Sequence, residues 1–152
     1  MELRRLRADE VAQAARQHRR AGALIPGYDP AQQPEAMTIA AYGQAFERGA
    51  FWGAFDRDEL VGHLALEPGW IEHLYVEPGR HGEGIGRALV TLAQREQDEL
   101  RLYTWQANAR ARRLYEKAGF VAEAFGVDPG HVDRAPNVTY HWRRLTGPAP
   151  RS

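Results

Sequence analysis

Apolar and polar positions along this chain follow two periods, and each change of period marks a new element. Leu3 and Leu6 open a short strand-like stretch, and Asp9 stands where it can cap a helix whose apolar residues Val11, Ala14 and Ala15 recur at helical spacing. Residues 22–35, GALIPGYDPAQQPE, read as a loop, and a second helix is predicted from about Glu35 to Arg48. A loop this long either borders a site or merely connects, and the sequence leaves both open. FWGAF and LVGHLAL flank the turn-forming DRDE as a β-hairpin, and EPG separates it from a third strand, WIEHLYV, ending at Val76. From Gly84 the period lengthens: Ile85, Ala88, Leu89, Leu92 and Ala93 make one helical stripe. LRLYTW, residues 100–105, is a strand. Asn108 is an N-cap for a helix whose inner face is Ala111, Leu114, Tyr115 and Ala118, and Gly119 ends it. VAEAF from Val121 and NVTYHWRR from Asn137 are two more strands, joined by GVDPGHVDRAP. The order β-α-α-β-β-β-α-β-α-β-β predicts an α/β (α+β) fold built on a mixed sheet, as one domain over residues 1–146 with a flexible tail at 147–152.

Composition narrows the chemistry. The 152 residues suit one domain, and 43% hydrophobic with 26% charged residues is the balance of a folded soluble protein. Lys plus Arg and Asp plus Glu are 20 each, so the net charge is zero and broad binding to nucleic acid or an anionic membrane is not expected. Any ionic partner must be met locally. With no cysteine, disulfides, thiolate nucleophiles and cysteine-ligated metals are excluded. MELRRLRADE has no apolar signal core and no run approaches the ~18 apolar residues of a membrane span, so a cytoplasmic location is the expectation.

VEPGRHGEGIGRAL, Val76 to Leu89, sets three alternate glycines between a strand and a helix. Glycine admits positive φ, so successive N–H groups can turn toward one anion at the positive end of the helix dipole, and a pyrophosphate would suit such a nest. The competing reading is a tight turn with close helix packing. Gly82, Gly84 and Gly86 fit neither the dinucleotide fingerprint nor a P-loop.

The segment resembles the GNAT N-acetyltransferase superfamily, whose members carry V-x-P-x-x-[RQ]-G-x-G-[IA]-G at a strand-to-helix junction. Val76, Pro78, Gly82, Gly84, Ile85 and Gly86 match it. A second signature, N-x-x-A-x-x-[LF]-Y-x-x-x-G-F, is met by Asn108, Ala111, Leu114, Tyr115, Gly119 and Phe120. The likeness is strong over Val61 to Phe125 and only architectural before it. One departure is His81, beside Arg80, where the family has Arg or Gln.

The resemblance implies a splayed mixed sheet with helices on both faces. Acetyl-CoA is expected in the splay, with the acceptor between the N-terminal helices and the loop at 126–136. It implies direct transfer of an acetyl group from acetyl-CoA to a primary amine, with no covalent enzyme intermediate. An alkyl ammonium of pKa ~10.4 is about one part in 10³ neutral at pH 7, so a base is needed. In polyamine-type members an acidic residue four before the Val of V-x-P takes that role, which falls here on Glu72. The competing reading is an edge carboxylate paired with a surface Arg. His73, which strand alternation sends to the opposite face, is the runner-up base. The family's matching tyrosine makes Tyr115 the general acid toward the thioester sulfur, against the plainer reading of a core tyrosine. The Val76 N–H would meet the developing oxyanion, Asn108 the pantetheine arm, and the cofactor set extends to Leu74, His81, Arg87 and Ala111.

Arg110, Arg112 and Arg113 could reach CoA phosphates, but a solvated helix face is the favoured reading, as it is for the RQHRR run ending at Arg20. His131 with Asp133 is too sparse for a metal site, and no metal is expected. The acceptor is expected to be a small molecule, in a pocket closed by Tyr28, Trp70 and Trp105. Alternatives are a non-catalytic acyl-CoA-binding or regulatory module and a protein N-acetyltransferase; a homodimer is left open.

Overall fold

The predicted elements assemble, in a computed structural model describing residues 1–126 and 136–145, into one seven-stranded sheet with helices on both faces. The chain runs β1 (Glu2–Arg5), α1 (Val11–Gly22), α2 (Glu35–Arg48), β2 (Ala50–Asp56), β3 (Glu59–Glu67) and β4 (Trp70–Val76). It continues through α3 (Ile85–Glu96), β5 (Glu99–Trp105), α4 (Ala109–Lys117), β6 (Val121–Gly126) and β7 (Asn137–Arg143). The spatial order is β1-β2-β3-β4-β5-β7-β6. Every neighbouring pair is antiparallel except β4 and β5, which run parallel. Arg57 and Asp58 both take positive φ (51° and 69°), the paired left-handed geometry of a tight hairpin turn, in the DRDE segment. His131, Asp133, residues 127–135 of the expected acceptor-side loop and the 147–152 tail lie outside the described residues.

Strand β3 lies under helices on both sides, which is why Val61 to Leu66 are all buried and its sequence is nearly unbroken in apolar character. On one face Leu64, Leu66, Ile71, Leu89, Leu100 and Tyr140 pack with α3 and α4; on the other Leu6, Ala14, Ala15, Tyr42 and Phe51 pack with α1 and α2. Among the described residues no helix is long and apolar enough to cross a membrane.

The start of α1 differs from expectation. Asp9 does not cap it; a 3-10 turn over Ala8–Glu10 leads in, and the Glu10 carboxylate accepts from the Arg7 N–H at 2.8 Å. Glu10 can reach back because it is almost wholly buried against Arg4, at 2.8 and 3.0 Å, and this pairing draws its pKa down to about 2.

The RQHRR run is a solvated face only at Arg16 and Arg20, which are exposed. Gln17 is fully buried, Arg19 bonds the Gln33 carbonyl and Thr38, and Arg20 pairs with Glu77 at 2.5 Å. The run lies where α1 turns back on the sheet, so Gln17 and Arg19 are held by partners while Arg16 and Arg20 remain open to water.

Gly62 on β3 fixes how closely α3 approaches. A Cβ there would stand 2.9 Å from Ile85 Cγ2, 3.1 Å from Leu89 Cδ1 and 3.1 Å from the Tyr75 carbonyl oxygen. Ile85 is stiff at χ1 and the Tyr75 oxygen belongs to the neighbouring strand, so the clash cannot be relieved by one side chain turning away. Gly62→Ala is therefore expected to lower unfolding stability by about 1–3 kcal/mol, read from urea denaturation, and an unchanged midpoint would show that the helix yields freely.

Candidate active site

Strands β4 and β5 are paired only at Trp70 with Arg101, supported by the Arg101 N–H donating to the Gly69 carbonyl at 2.8 Å. Beyond that pair the strands part. On its other side β4 stays bonded to β3, where the Glu77 N–H donates to the Val61 carbonyl at 2.9 Å. Antiparallel pairs alternate between bonded and non-bonded, so Val76, opposite Gly62, turns its own N–H and carbonyl away from β3 and toward the gap. Two cavities of about 500 and 520 Å³ open there, and Ile25, Tyr75 and Asn108 line both.

The first chamber contains every residue predicted for the cofactor, from Leu74 and Val76 through His81, Gly82, Gly84, Ile85, Gly86 and Arg87 to Asn108 and Ala111. The glycines divide their tasks. Gly82 and Gly84 have φ of 86° and 82°, and a Cβ on either would meet nothing within 4 Å, so their turn needs the conformation and leaves open space before the first turn of α3. Gly86 is needed for closeness: its Cβ would stand 3.2 Å from Leu114 and 3.6 Å from Val76. Of the two readings of the sequence, the packing turn is realised at Gly86, while Gly82 and Gly84 leave the open space that an anion would need. An anionic phosphate group fits this open, N–H-bearing end of a twelve-residue helix.

His81 sits half-exposed at this turn. Burial, then Arg110, lower its pKa, against a hydrogen bond with the Val76 backbone. Arg80 also lines the chamber but is held by Asp56 at 2.6 Å and Glu83 at 3.0 Å. Arg110 and Arg113 are exposed, in keeping with the solvated reading of the α4 arginines, and both also border the first chamber, because the N-terminal half of α4 forms its wall. Arg112 instead bonds the Tyr140 hydroxyl at 3.1 Å and the Gln106 carbonyl at 3.3 Å. Asn108 caps α4, its Oδ1 accepting from the Ala111 N–H at 3.2 Å. Tyr115, buried at the inner end, packs on Phe120 and Tyr140, and burial with Tyr75 nearby pushes its hydroxyl pKa up.

The second chamber holds Glu72 and His73 together, against the expectation that alternation separates them. The β3–β4 register passes from Ala65–His73 to Leu66–Ile71, leaving Glu72 as an extra, bulged residue. An unbroken register would set Glu72 opposite Leu66, on the face that carries Leu64, Ile71 and Leu89. A carboxylate in that apolar core is costly, and the bulge seats Ile71 there instead.

Glu72 also meets Arg48, at 3.6 Å, so the surface-pair reading is partly realised. The tighter partner of Arg48 is Glu67, at 2.6 Å. The two carboxyls part in consequence: Arg48 lowers the pKa of Glu67, while burial and the hydrogen bond with Glu67 raise that of Glu72. His73 stacks on Tyr42 with ring centroids 4.3 Å apart, and burial, with His18 and Arg48 nearby, lowers its pKa to about 3. Tyr28, Trp70, Tyr103 and Trp105 supply aromatic walls, and His18 joins them from α1. Reading the sequence missed His18, although it lies four residues after Ala14 and seven after Val11, on the buried stripe of that helix. Among the described residues no group of three or more His, Cys, Asp or Glu could hold a metal ion.

A family model for the acetyltransferase (GNAT) domain matches residues 47–122. Streptothricin acetyltransferase of Escherichia coli is 36% identical over 103 residues, 61% of this chain and 58% of that protein. Mycothiol acetyltransferase of Beutenbergia cavernae is 46% identical over 67 residues, 41% of this chain and 23% of that protein. The matched parts thus span less than two thirds of these curated relatives. YncA of Salmonella typhimurium, a structure solved with its cofactor acetyl-CoA, superposes with a TM-score of 0.73 at 17% identity, covering 100% of this chain and 98% of that one. With the glycine turn, the split sheet and the domain match agreeing, this chain belongs to the GNAT acetyltransferase family.

Proposed function

We propose that this protein moves an acetyl group from acetyl-CoA to a primary amine of a small molecule. The observation that carries the reading is the meeting, at Tyr75 and Asn108 in the split between β4 and β5, of a glycine-turn chamber bordered by arginines and a chamber bearing Glu67 and Glu72. The N–H groups around Gly82 and Gly84 bind the pyrophosphate, and Asn108 and Leu74 border the pantetheine arm. Acetyl-CoA supplies an activated thioester. The Val76 N–H donates to the carbonyl oxygen as negative charge grows on it.

Two protons leave the ammonium group of the acceptor as its nitrogen–carbon bond forms and the carbon–sulfur bond breaks. Glu72 takes the first, directly or through water, which frees the nitrogen lone pair. The second reaches solvent, while Tyr115 donates its own proton to the departing sulfur and regains one from water, so that one proton is released overall. The aromatic-walled 520 Å³ space favours a small acceptor over a peptide. Two relatives are named as acetyltransferases of streptothricin and of mycothiol, which supports the same choice.

Release of free thiol from acetyl-CoA across a panel of primary amines, aminoglycosides and peptides tests the reading. Turnover with small amines is expected; turnover confined to peptides, or none with any amine, overturns it. For the base, Glu72→Gln should lower kcat by about 10²-fold on an amine of high pKa. Glu72 works only when ionised, and its pKa is raised, so native activity should climb with pH through a limb displaced upward from that of an ordinary glutamate. The variant should lack that limb, and its deficit should shrink at high pH. For the acid, Tyr115→Phe should lower kcat by about 10- to 10³-fold with acetyl-CoA affinity little changed. A purely structural tyrosine predicts the reverse: stability lower by about 1 kcal/mol with activity per folded molecule intact.

A further inference from the structure

Behind the acceptor chamber four polar side chains form one hydrogen-bond chain, and chemistry fixes the direction of every link. Gln17 begins it. Its amide nitrogen donates to the Leu60 carbonyl at 2.9 Å and to the Glu77 carboxylate at 3.2 Å. Both partners only accept, so the nitrogen must lie on that side and the amide oxygen faces His63 Nδ1, at 2.8 Å. An amide oxygen has no proton to give, so His63 carries its hydrogen on Nδ1.

His63 is fully buried, and burial, with His73 and His18 nearby, holds it neutral. Its Nε2 is therefore bare, and the Tyr42 hydroxyl, 2.8 Å away, donates to it. With that proton committed, the Tyr42 oxygen can only accept from its other neighbour, His18 Nδ1, at 2.8 Å. His18 is thereby the Nδ1–H tautomer, opposite to the one an imidazole prefers in water, and its Nε2 carries a lone pair. A ring turned by 180° would set carbon against the Tyr42 oxygen. Tyr75, at a centroid distance of 4.3 Å, and His73, at 5.5 Å, box the ring in.

His18 itself lines the chamber that also holds Glu72. We propose that His18 Nε2 accepts a hydrogen bond from the acceptor amine, and that Gln17, His63 and Tyr42 are positioning residues that fix its tautomer. The proposal rests on the chamber being the amine site. Facing His18 are Arg19 on its own helix, Tyr42 on α2, and His73 and Tyr75 on β4, with Glu72 across the chamber. Burial first and Arg19 second lower its pKa to about 4, so it is neutral beside an ammonium ion at pH 7. Glu72 attracts the charge; His18 gives it a direction.

Imidazole 1H–15N correlation spectra of the full chain, with His18 assigned from His18→Gln, read the tautomer without any reaction. His18 and His63 should both be Nδ1–H, and Tyr42→Phe should abolish the His18 preference. In steady state, Tyr42→Phe should raise KM for an accepted amine about tenfold or more, with KM for acetyl-CoA unchanged. His18→Phe, which spares the buried residues, gives the same kinetic reading if Tyr42→Phe does not fold. An Nε2–H tautomer in the native protein overturns the proposal whatever the activity, and so does an unchanged amine KM in a folded variant. A protein that shows Nδ1–H at His18 but acetylates no amine overturns the reaction, and the amine as ligand with it, while upholding the chain.

Discussion

The place where the β4–β5 ladder stops decides what the rest of the molecule can do. Two adjacent parallel strands could bond along their length, yet these do so at one pair, Trp70 with Arg101. Each strand remains secured on its other flank, β4 to β3 and β5 to β7, so the sheet is two well-bonded halves hinged at one end of a gap. Backbone groups facing the gap must find partners in water, in side chains or in a ligand, because leaving them unpaired costs about as much as a lost hydrogen bond. The His81 ring meets one of them, at Val76. Helix α3 packs on β3 and β4, and its contact with α4 at Gly86 and Leu114 draws the capped end of α4 to the gap.

Much of this was legible because local signals and the pattern agreed. The second helix spans Glu35–Arg48 and the third predicted strand Trp70–Val76, at the positions where Gly, Pro and a change of period punctuate the sequence. The two signature segments also placed the first chamber's lining, since a strand-to-helix turn is specified by residues close in sequence. What could not be read was register. The bulge at Glu72 arises from the demand of a different strand, β3, that Ile71 rather than a carboxylate oppose Leu66. No residue within WIEHLYV announces it, yet it decides which side chains share the second chamber.

The first helix taught the opposite lesson. Polar letters in RQHRR suggested a wet surface, but Gln17 is satisfied by residues 43, 46 and 60 positions away. Burial of polar groups becomes possible only when such partners arrive together, which composition cannot foresee. His18 differed. Its spacing continued the apolar stripe of Val11, Ala14 and Ala15, so its inward position was written in the period and obscured by its polarity.

Net neutrality conceals a separation of charge that links these features. Arg80, Arg87, Arg110 and Arg113 border the first chamber, where the N-terminus of α3 adds positive potential. Arg80 is a fixed member of that group, pinned by Asp56 and Glu83, while the others have freer reach. Across the gap Glu67 and Glu72 share the single cation Arg48, and the three histidines nearby stay neutral at pH 7 because burial disfavours their charge. No imidazolium therefore adds positive charge beside Glu67 and Glu72 in the second chamber. A cleft with low-dielectric walls sharpens such a difference. On the proposed reaction an anionic donor and a cationic acceptor are drawn to opposite sides of one split. Their reacting ends then converge where β4 turns the N–H of Val76 into the gap, so the feature that breaks the sheet also brings the two substrates face to face.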